Sequence, residues 1–226
     1  MNNNFNENIE LINNENSYTM IKIIVLLIAL QISGIVLREG MFIFLPYSEL
    51  NDILISMITM FLLTLFIIYK CKKEKISLGV FSFTKNKESK IYYFLVSICI
   101  LFLIFISPSF SMRPSLETLL PLIYTAIMIP IYEEFIFRSY IWGILENENI
   151  NEMKIYFLTT ILFALYNIGY IGSSIITNGF NHMAIIIFIK LLSILSYGLF
   201  IGFFRYKIKN TYFCILIHSF INIFGR

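Results

Sequence analysis

Long apolar runs dominate the chain and leave few folds open to it. Seven such runs lie at residues 20–37, 53–69, 91–107, 119–145, 155–172, 183–204 and 212–224. About 20 helical residues cross the roughly 30 Å hydrocarbon core of a bilayer. The runs are continuously apolar, whereas barrel strands alternate, and helices satisfy their own backbone hydrogen bonds in lipid. We therefore predict an all-α, polytopic transmembrane helix bundle of about seven spans.

The composition supports a membrane location. Hydrophobic residues make up 58% of the chain and charged residues only 14%, against about 25% charged residues in soluble domains. The predicted partner of this apolar surface is the lipid bilayer. No nucleic-acid partner is predicted, because the basic residues lie in loops and do not form a groove. The three cysteines have no paired spacing and are interpreted as membrane-buried thiols.

The distribution of polar residues divides the chain into three segments. Residues 1–19 form an Asn-rich tail, interpreted as a disordered or surface segment. Residues 20–116 hold three predicted helices with a basic loop, and residues 117–226 hold the motifs described below. Basic residues favour the cytoplasmic side, and the loop after the second run carries Lys70, Lys72, Lys73, Lys75, Lys85, Lys87 and Lys90. This pattern predicts a multi-pass cell-membrane protein with a cytoplasmic N-terminus, and it places the basic cluster at 205–209 inside as well.

Ionisable residues inside apolar runs cost a few kcal/mol each and need a partner, a cavity or a function. The fourth run contains Glu133, Glu134 and Arg138. Glu134 and Arg138 are four residues apart, so they share a helix face and are predicted to pair. Glu133 points about 100° away, which leaves its carboxylate for general-base chemistry. The alternative is an ion pair with a structural role only.

The last run places two polar side chains on one face. His218 and Asn222 are four residues apart and could together bind a carbonyl oxygen that gains negative charge. The alternative is an interhelical hydrogen-bond pair, and the same alternative applies to Asn167 in the fifth run. In the sixth run, Gly198 and Gly202 predict a close helix–helix approach. Lys190 could face a cavity, pair with a buried carboxylate, or extend to the membrane surface.

In order along the chain, these motifs resemble the CPBP family of intramembrane proteases, which includes CAAX prenyl endopeptidases and bacteriocin-immunity relatives. The family pattern is Glu-Glu-x-x-x-Arg, then Phe-x-x-x-His, then His-x-x-x-Asn. The first and third motifs match in full, at residues 133–138 and 218–222. The second begins at Phe163, but Asn167 stands where the family has histidine. The resemblance covers residues 119–224.

The resemblance implies an endopeptidase that hydrolyses a peptide bond in a membrane-associated or peptide substrate. Glu133 would activate water, His218 and Asn222 would stabilise the oxyanion, and Glu134 with Arg138 would hold the site together. Bacterial relatives suggest peptide maturation or bacteriocin self-immunity.

Two alternatives stay open. As a candidate catalytic residue, Asn167 could orient water or donate a hydrogen bond, but it cannot exchange a proton at neutral pH. Loss of an acid–base group lowers rates by about 10² to 10⁴. A non-catalytic membrane binding or immunity protein is therefore the first alternative, and a small transporter is the second. The cofactor is unknown: zinc favours clustered Cys and His ligands, the chain has two histidines, and His182 is predicted in an outer loop.

Overall fold

The computed structural model describes the backbone of residues 2–79, 87–167 and 183–224. Within these ranges the chain is helical and contains no strand, which confirms the all-α prediction. The seven longer helices are α1 (Asn2–Phe42), α2 (Glu49–Lys73), α3 (Lys87–Ile106), α4 (Leu116–Asn147), α5 (Glu152–Tyr166), α6 (Met183–Ile208) and α7 (Thr211–Phe224). A one-turn helix, Pro108–Ser111, lies between α3 and α4.

Four of the described helices are long and apolar enough to cross a bilayer: Ser17–Phe42, Glu49–Lys73, Leu116–Asn147 and Ile187–Ile208. Two shorter apolar helices, Ser97–Ile106 and Thr211–Phe224, accompany them. The protein is thus a multi-pass membrane protein, and the number of seven spans is approximate. In the predicted fifth span, helix α5 ends at Tyr166 and Asn167 follows it; residues 168–172 of that span and His182 lie outside the described residues.

The polar N-terminal tail is part of the first helix. Helix α1 begins at Asn2 and continues without a break into the first apolar run. The chain has no glycine before Gly34 and no proline before Pro46. Extending an existing helix is far less costly than nucleating one, so a polar tail without helix breakers continues the first transmembrane helix.

Helix α4 passes through Pro130 without a break because two of its segments are π-helical, Tyr124–Met128 and Phe135–Ile141. In the first segment, the Ile129 amide donates to the Tyr124 carbonyl. In a regular α-helix it would donate to the Thr125 carbonyl instead. The next candidate donor is Pro130, which has no N–H. The Thr125 carbonyl therefore lacks both its α-type and its π-type partner. In the second segment, the Trp142 amide donates to the Phe137 and Ser139 carbonyls. The Arg138 carbonyl, its partner in a regular α-helix, is left without this donor.

Side chains from the C-terminal helices bind both of these carbonyl groups. Asn222 Nδ2 donates to the Thr125 carbonyl at 2.7 Å. Arg205 Nε and Thr211 Oγ1 donate to the Arg138 carbonyl at 2.8 and 3.1 Å. Buried carbonyl groups need hydrogen-bond donors, so the irregularities of α4 fix where α6 and α7 pack.

Helices α5 and α6 approach closely at the glycine pair, as the sequence predicts. A Cβ atom built at Gly198 would lie 3.0 Å from the Phe163 ring, and one at Gly202 would lie 2.9 Å from the Tyr156 ring. Tyr156 also donates to the Leu199 carbonyl at 3.0 Å. Larger residues at these two positions would push the helices apart.

Glu74, directly after α2, connects three helices. Its carboxylate binds Lys70 at 2.6 Å, Lys22 at 3.3 Å and the Tyr140 hydroxyl at 3.0 Å. Partial burial raises the pKa of Glu74, but the hydrogen bonds from Lys70 and Tyr140 outweigh burial and hold that pKa below its usual value. The carboxylate form thus stabilises the contact between α1, α2 and α4.

Candidate active site

Glu134 lies at the centre of a buried polar cluster. Its Oε1 atom is 2.9 Å from His218 Nδ1, and its Oε2 atom is 3.3 Å from Arg138 Nε. The side chains of Glu134 and Arg138 are fully buried, and their predicted pairing is confirmed. Arg138 also donates to the Gly198 carbonyl at 3.2 Å, and its guanidinium lies 4.7 Å from the centre of the Phe163 ring. The arginine therefore joins α4 to both α5 and α6.

Glu133 lies on the other side of the same imidazole. It is 4% exposed, and its Oε2 atom is 3.8 Å from His218 Nε2. That separation is too long for a direct hydrogen bond and short enough for one bridging water molecule. The two acidic residues of α4 and the imidazole of α7 thus converge, with each ring nitrogen directed at a different carboxylate.

The position of Glu134 determines which nitrogen of a neutral His218 carries the proton. A glutamate carboxylate only accepts hydrogen bonds. The ring must then donate through Nδ1–H, and Nε2 keeps its lone pair toward Glu133. A carboxylate orients the catalytic histidine in the same way in hydrolytic triads. This tautomer leaves Nε2 free to accept a proton, a role that differs from the oxyanion donor that the resemblance implies for His218.

Asn222 lies one turn beyond His218 and is held by two contacts. Besides donating to the Thr125 carbonyl, it accepts a hydrogen bond from the Tyr197 hydroxyl at 3.3 Å. The Tyr197 ring meets the His218 ring edge to face at 5.0 Å. One N–H of the amide remains for another acceptor. Tyr197 is missed by sequence reasoning, and the only signal for it is that a buried tyrosine hydroxyl usually needs a partner.

Asn167 has a different environment. It is 6% exposed at the end of α5, and its side-chain amide donates to the Phe163 carbonyl of its own helix at 3.0 Å. Within the described ranges, no hydrogen bond or ion pair joins it to Glu133, Glu134 or His218. The residue at the second-motif position is therefore not bonded to the cluster.

The structure also gives the positions of two other polar residues of the apolar runs, Lys190 and Gln31. Lys190 is exposed on α6, which fits the alternative that its side chain extends to the membrane surface. Gln31, for which the sequence suggested no role, donates to the Tyr166 carbonyl at 2.9 Å and connects α1 to α5.

The cluster does not have the donor set of a zinc site. In the part of the chain that the structure describes, no group of three or more His, Cys, Asp or Glu could hold a metal ion. His218 Nδ1 is already bonded to Glu134, and Glu134 is paired with Arg138. Zinc sites need three or four converging His, Cys or carboxylate ligands, so we derive no step through a metal.

The fold and the cluster define a polytopic α-helical membrane protein with a buried carboxylate–imidazole site. Residues 115–224 match the family model described as "Type II CAAX prenyl endopeptidase Rce1-like". The match covers the C-terminal segment of the chain and confirms the resemblance to CPBP family proteases. No curated protein and no solved structure matches the chain.

Proposed function

We propose that the protein is an intramembrane endopeptidase of the CPBP type, which hydrolyses a peptide bond in a membrane-associated or peptide substrate. One observation carries the proposal. Two carboxylates from α4 flank the single imidazole of α7, at 2.9 and 3.8 Å, inside a bundle that buries all three. A buried base close to an oriented imidazole suits the activation of water. The match to a prenyl endopeptidase family supports the same reaction class.

In the proposed reaction, Glu133 accepts one proton from a water molecule while the water oxygen bonds to the substrate carbonyl carbon. The carbonyl electron pair moves to oxygen, where the second amide N–H of Asn222 stabilises the negative charge. Glu133 then passes its proton to the amide nitrogen as the C–N bond breaks. His218 Nε2 accepts the remaining water proton, so the acid product leaves as a carboxylate.

A non-catalytic membrane binding or immunity protein is the second candidate. The observation that favours it is Asn167, which cannot exchange protons and is bonded within its own helix. As a non-catalytic protein it would bind a peptide or a partner without cleaving a peptide bond. Peptide maturation fits the first candidate, and bacteriocin self-immunity fits either one.

A cleavage assay separates the two candidates. Wild-type protein and the Glu133→Gln variant, in lipid nanodiscs, are incubated with a peptide library and the products are identified by mass spectrometry. We expect Glu133→Gln to lose about 10²-fold or more of the rate. The matched control is Glu117→Gln, which changes an exposed glutamate of the same helix and should retain the rate. Equal cleavage by wild type and Glu133→Gln would remove Glu133 from the mechanism.

The Asn167→His variant completes the comparison. If wild type shows no cleavage and Asn167→His cleaves the peptide, the wild-type protein is inactive because it lacks histidine at position 167. If neither cleaves and wild type still binds peptide, the binding function is supported.

A further inference from the structure

A cavity of about 600 Å³ lies between α1, α2 and α4, and it also reaches the end of α5. Most of its lining comes from α1 and α2, which precede the segment that matches the protease family. Glu133, Glu134 and His218 are not part of the lining. This cavity is therefore a feature of the chain that the family match does not explain.

The cavity extends inward from the loop between α1 and α2. Near that loop, Arg38 and Asp52 form a partly exposed ion pair at 2.7 Å. Farther along the two helices, Leu30 and Leu63 line the cavity and are 2% and 7% exposed. Arg38 and Leu30 are eight residues apart, which corresponds to about 12 Å along a helix. The cavity thus has a polar, partly exposed end and a buried, apolar end.

A buried hydroxyl in the wall has no partner. Thr59 lines the cavity and is 5% exposed, and its Oγ1 atom makes no hydrogen bond within the described ranges. Thr64 on the same helix, by contrast, donates to the Met60 carbonyl at 2.7 Å. Buried hydroxyl groups without partners are unfavourable. The wall of the cavity thus holds a buried polar group that a purely hydrocarbon occupant would leave unsatisfied.

The wall of the cavity is continuous with the active-site helices. Tyr132 and Tyr166 line the cavity, and their hydroxyl groups are 2.6 Å apart. Tyr132 directly precedes Glu133, and Tyr166 directly precedes Asn167. A ligand in the cavity would therefore contact the helical turns that carry both motif positions.

We propose that this cavity binds an extended, uncharged polypeptide segment of the substrate, so that α1 and α2 determine substrate selectivity. The inference rests on the proposed endopeptidase function. The volume is in the range of ligand pockets, about 300 to 1,000 Å³. Gln31, Ser56 and Thr59 supply uncharged polar groups that suit peptide amides. The Arg38–Asp52 pair is neutral overall and gives no preference for a charged ligand.

A glycine in the wall allows the cavity to be filled selectively. Gly34 lines the cavity, and a Cβ atom built there has Leu63 Cδ1 as its nearest neighbour at 3.7 Å, an ordinary contact. Gly40 lies on the same helix, and a Cβ atom there meets nothing within 4 Å. We expect Gly34→Leu to raise KM at least tenfold with kcat changed less than twofold. Gly40→Leu should leave both unchanged. Unchanged KM in Gly34→Leu would overturn the inference.

A second measurement needs no catalysis. A photoreactive amino acid at position 56 of the otherwise unchanged chain, in nanodiscs, is illuminated with a labelled, uncharged peptide. We expect a crosslink to the peptide that excess unlabelled peptide removes and that Gly34→Leu weakens. Crosslinks to lipid alone would overturn the inference. Specific crosslinking without any cleavage would support the cavity assignment and contradict the endopeptidase function. Cleavage with unchanged kinetics in Gly34→Leu would support the endopeptidase function and contradict the cavity assignment.

Discussion

Nδ1 of His218 lies 2.9 Å from Oε1 of Glu134, so the last helix of the chain is bonded to the helix that carries the acidic pair. The same carboxylate is paired with Arg138. Glu134 is thus shared between a cation of its own helix and an imidazole 84 residues away in sequence. This contact brings the first and third motifs together, and it leaves Nε2 of His218 directed at Glu133.

Removing the Glu134 charge should destabilise the protein strongly. In Glu134→Gln, the fully buried Arg138 loses its anion, and breaking one side of a buried pair costs about 3–5 kcal/mol. We expect a large decrease in the Tm measured in detergent. A Glu134→Gln/Arg138→Met double variant should recover part of that stability, because the uncompensated charge is gone.

The control for this experiment is an exposed ion pair. Glu152 pairs with Lys209, and both side chains are more than 40% exposed. Glu152→Gln should cost no more than about 1 kcal/mol. A Tm for Glu134→Gln as high as that for Glu152→Gln would contradict a structural role for the Glu134–Arg138 pair.

The protonation of His218 can be observed directly. Replacing His182 by glutamine leaves His218 as the single imidazole of the chain, and ¹⁵N labelling of histidine then reports both ring nitrogens. Because Glu134 accepts from Nδ1, we expect the neutral ring to carry its proton on Nδ1 and its lone pair on Nε2. A ring protonated at Nε2 would contradict its proposed role as a proton acceptor.

The sequence is sufficient to predict the helical class and part of the site. Continuous apolar runs predict membrane helices because lipid requires internally bonded backbone. The four-residue spacing of Glu134 and Arg138 predicts their pairing because the helix period places them on one face. The contact of Glu134 with His218 depends on how α4 and α7 pack, and only the family resemblance suggests it.

The irregular parts of α4 could not be predicted from the sequence. A π segment shifts the hydrogen-bond register by one residue, and a continuously apolar run has no amphipathic pattern to reveal the shift. The sequence also gives no signal that Arg205, in the basic cluster at 205–209, is buried. It is 5% exposed, donates to the Arg138 carbonyl and lies 5.1 Å from the centre of the Trp142 ring.

Asn222 should stabilise the fold even without substrate. Asn222→Ala leaves the Thr125 carbonyl without its side-chain donor, and an unsatisfied buried group costs about 1–3 kcal/mol. Tyr197→Phe removes only the bond to Asn222 Oδ1, so we expect a smaller loss of about 0.5–1.5 kcal/mol. The measurement is denaturation of both variants in the same detergent. An Asn222→Ala protein as stable as wild type would show that the Thr125 contact contributes nothing, and Asn222 would then be assigned to substrate alone.

Acidification should weaken the contact between α1, α2 and α4 at Glu74. Because the pKa of Glu74 is lower in the folded protein than in the unfolded chain, its carboxylate stabilises the fold above the unfolded pKa, about 4.3. That contribution decreases as the pH falls through the folded pKa. In Glu74→Gln, which has no charge to lose, we expect a lower Tm than wild type at pH 7 and a smaller difference at pH 3.5. A constant difference between the two proteins at both pH values would contradict this origin of the stabilisation.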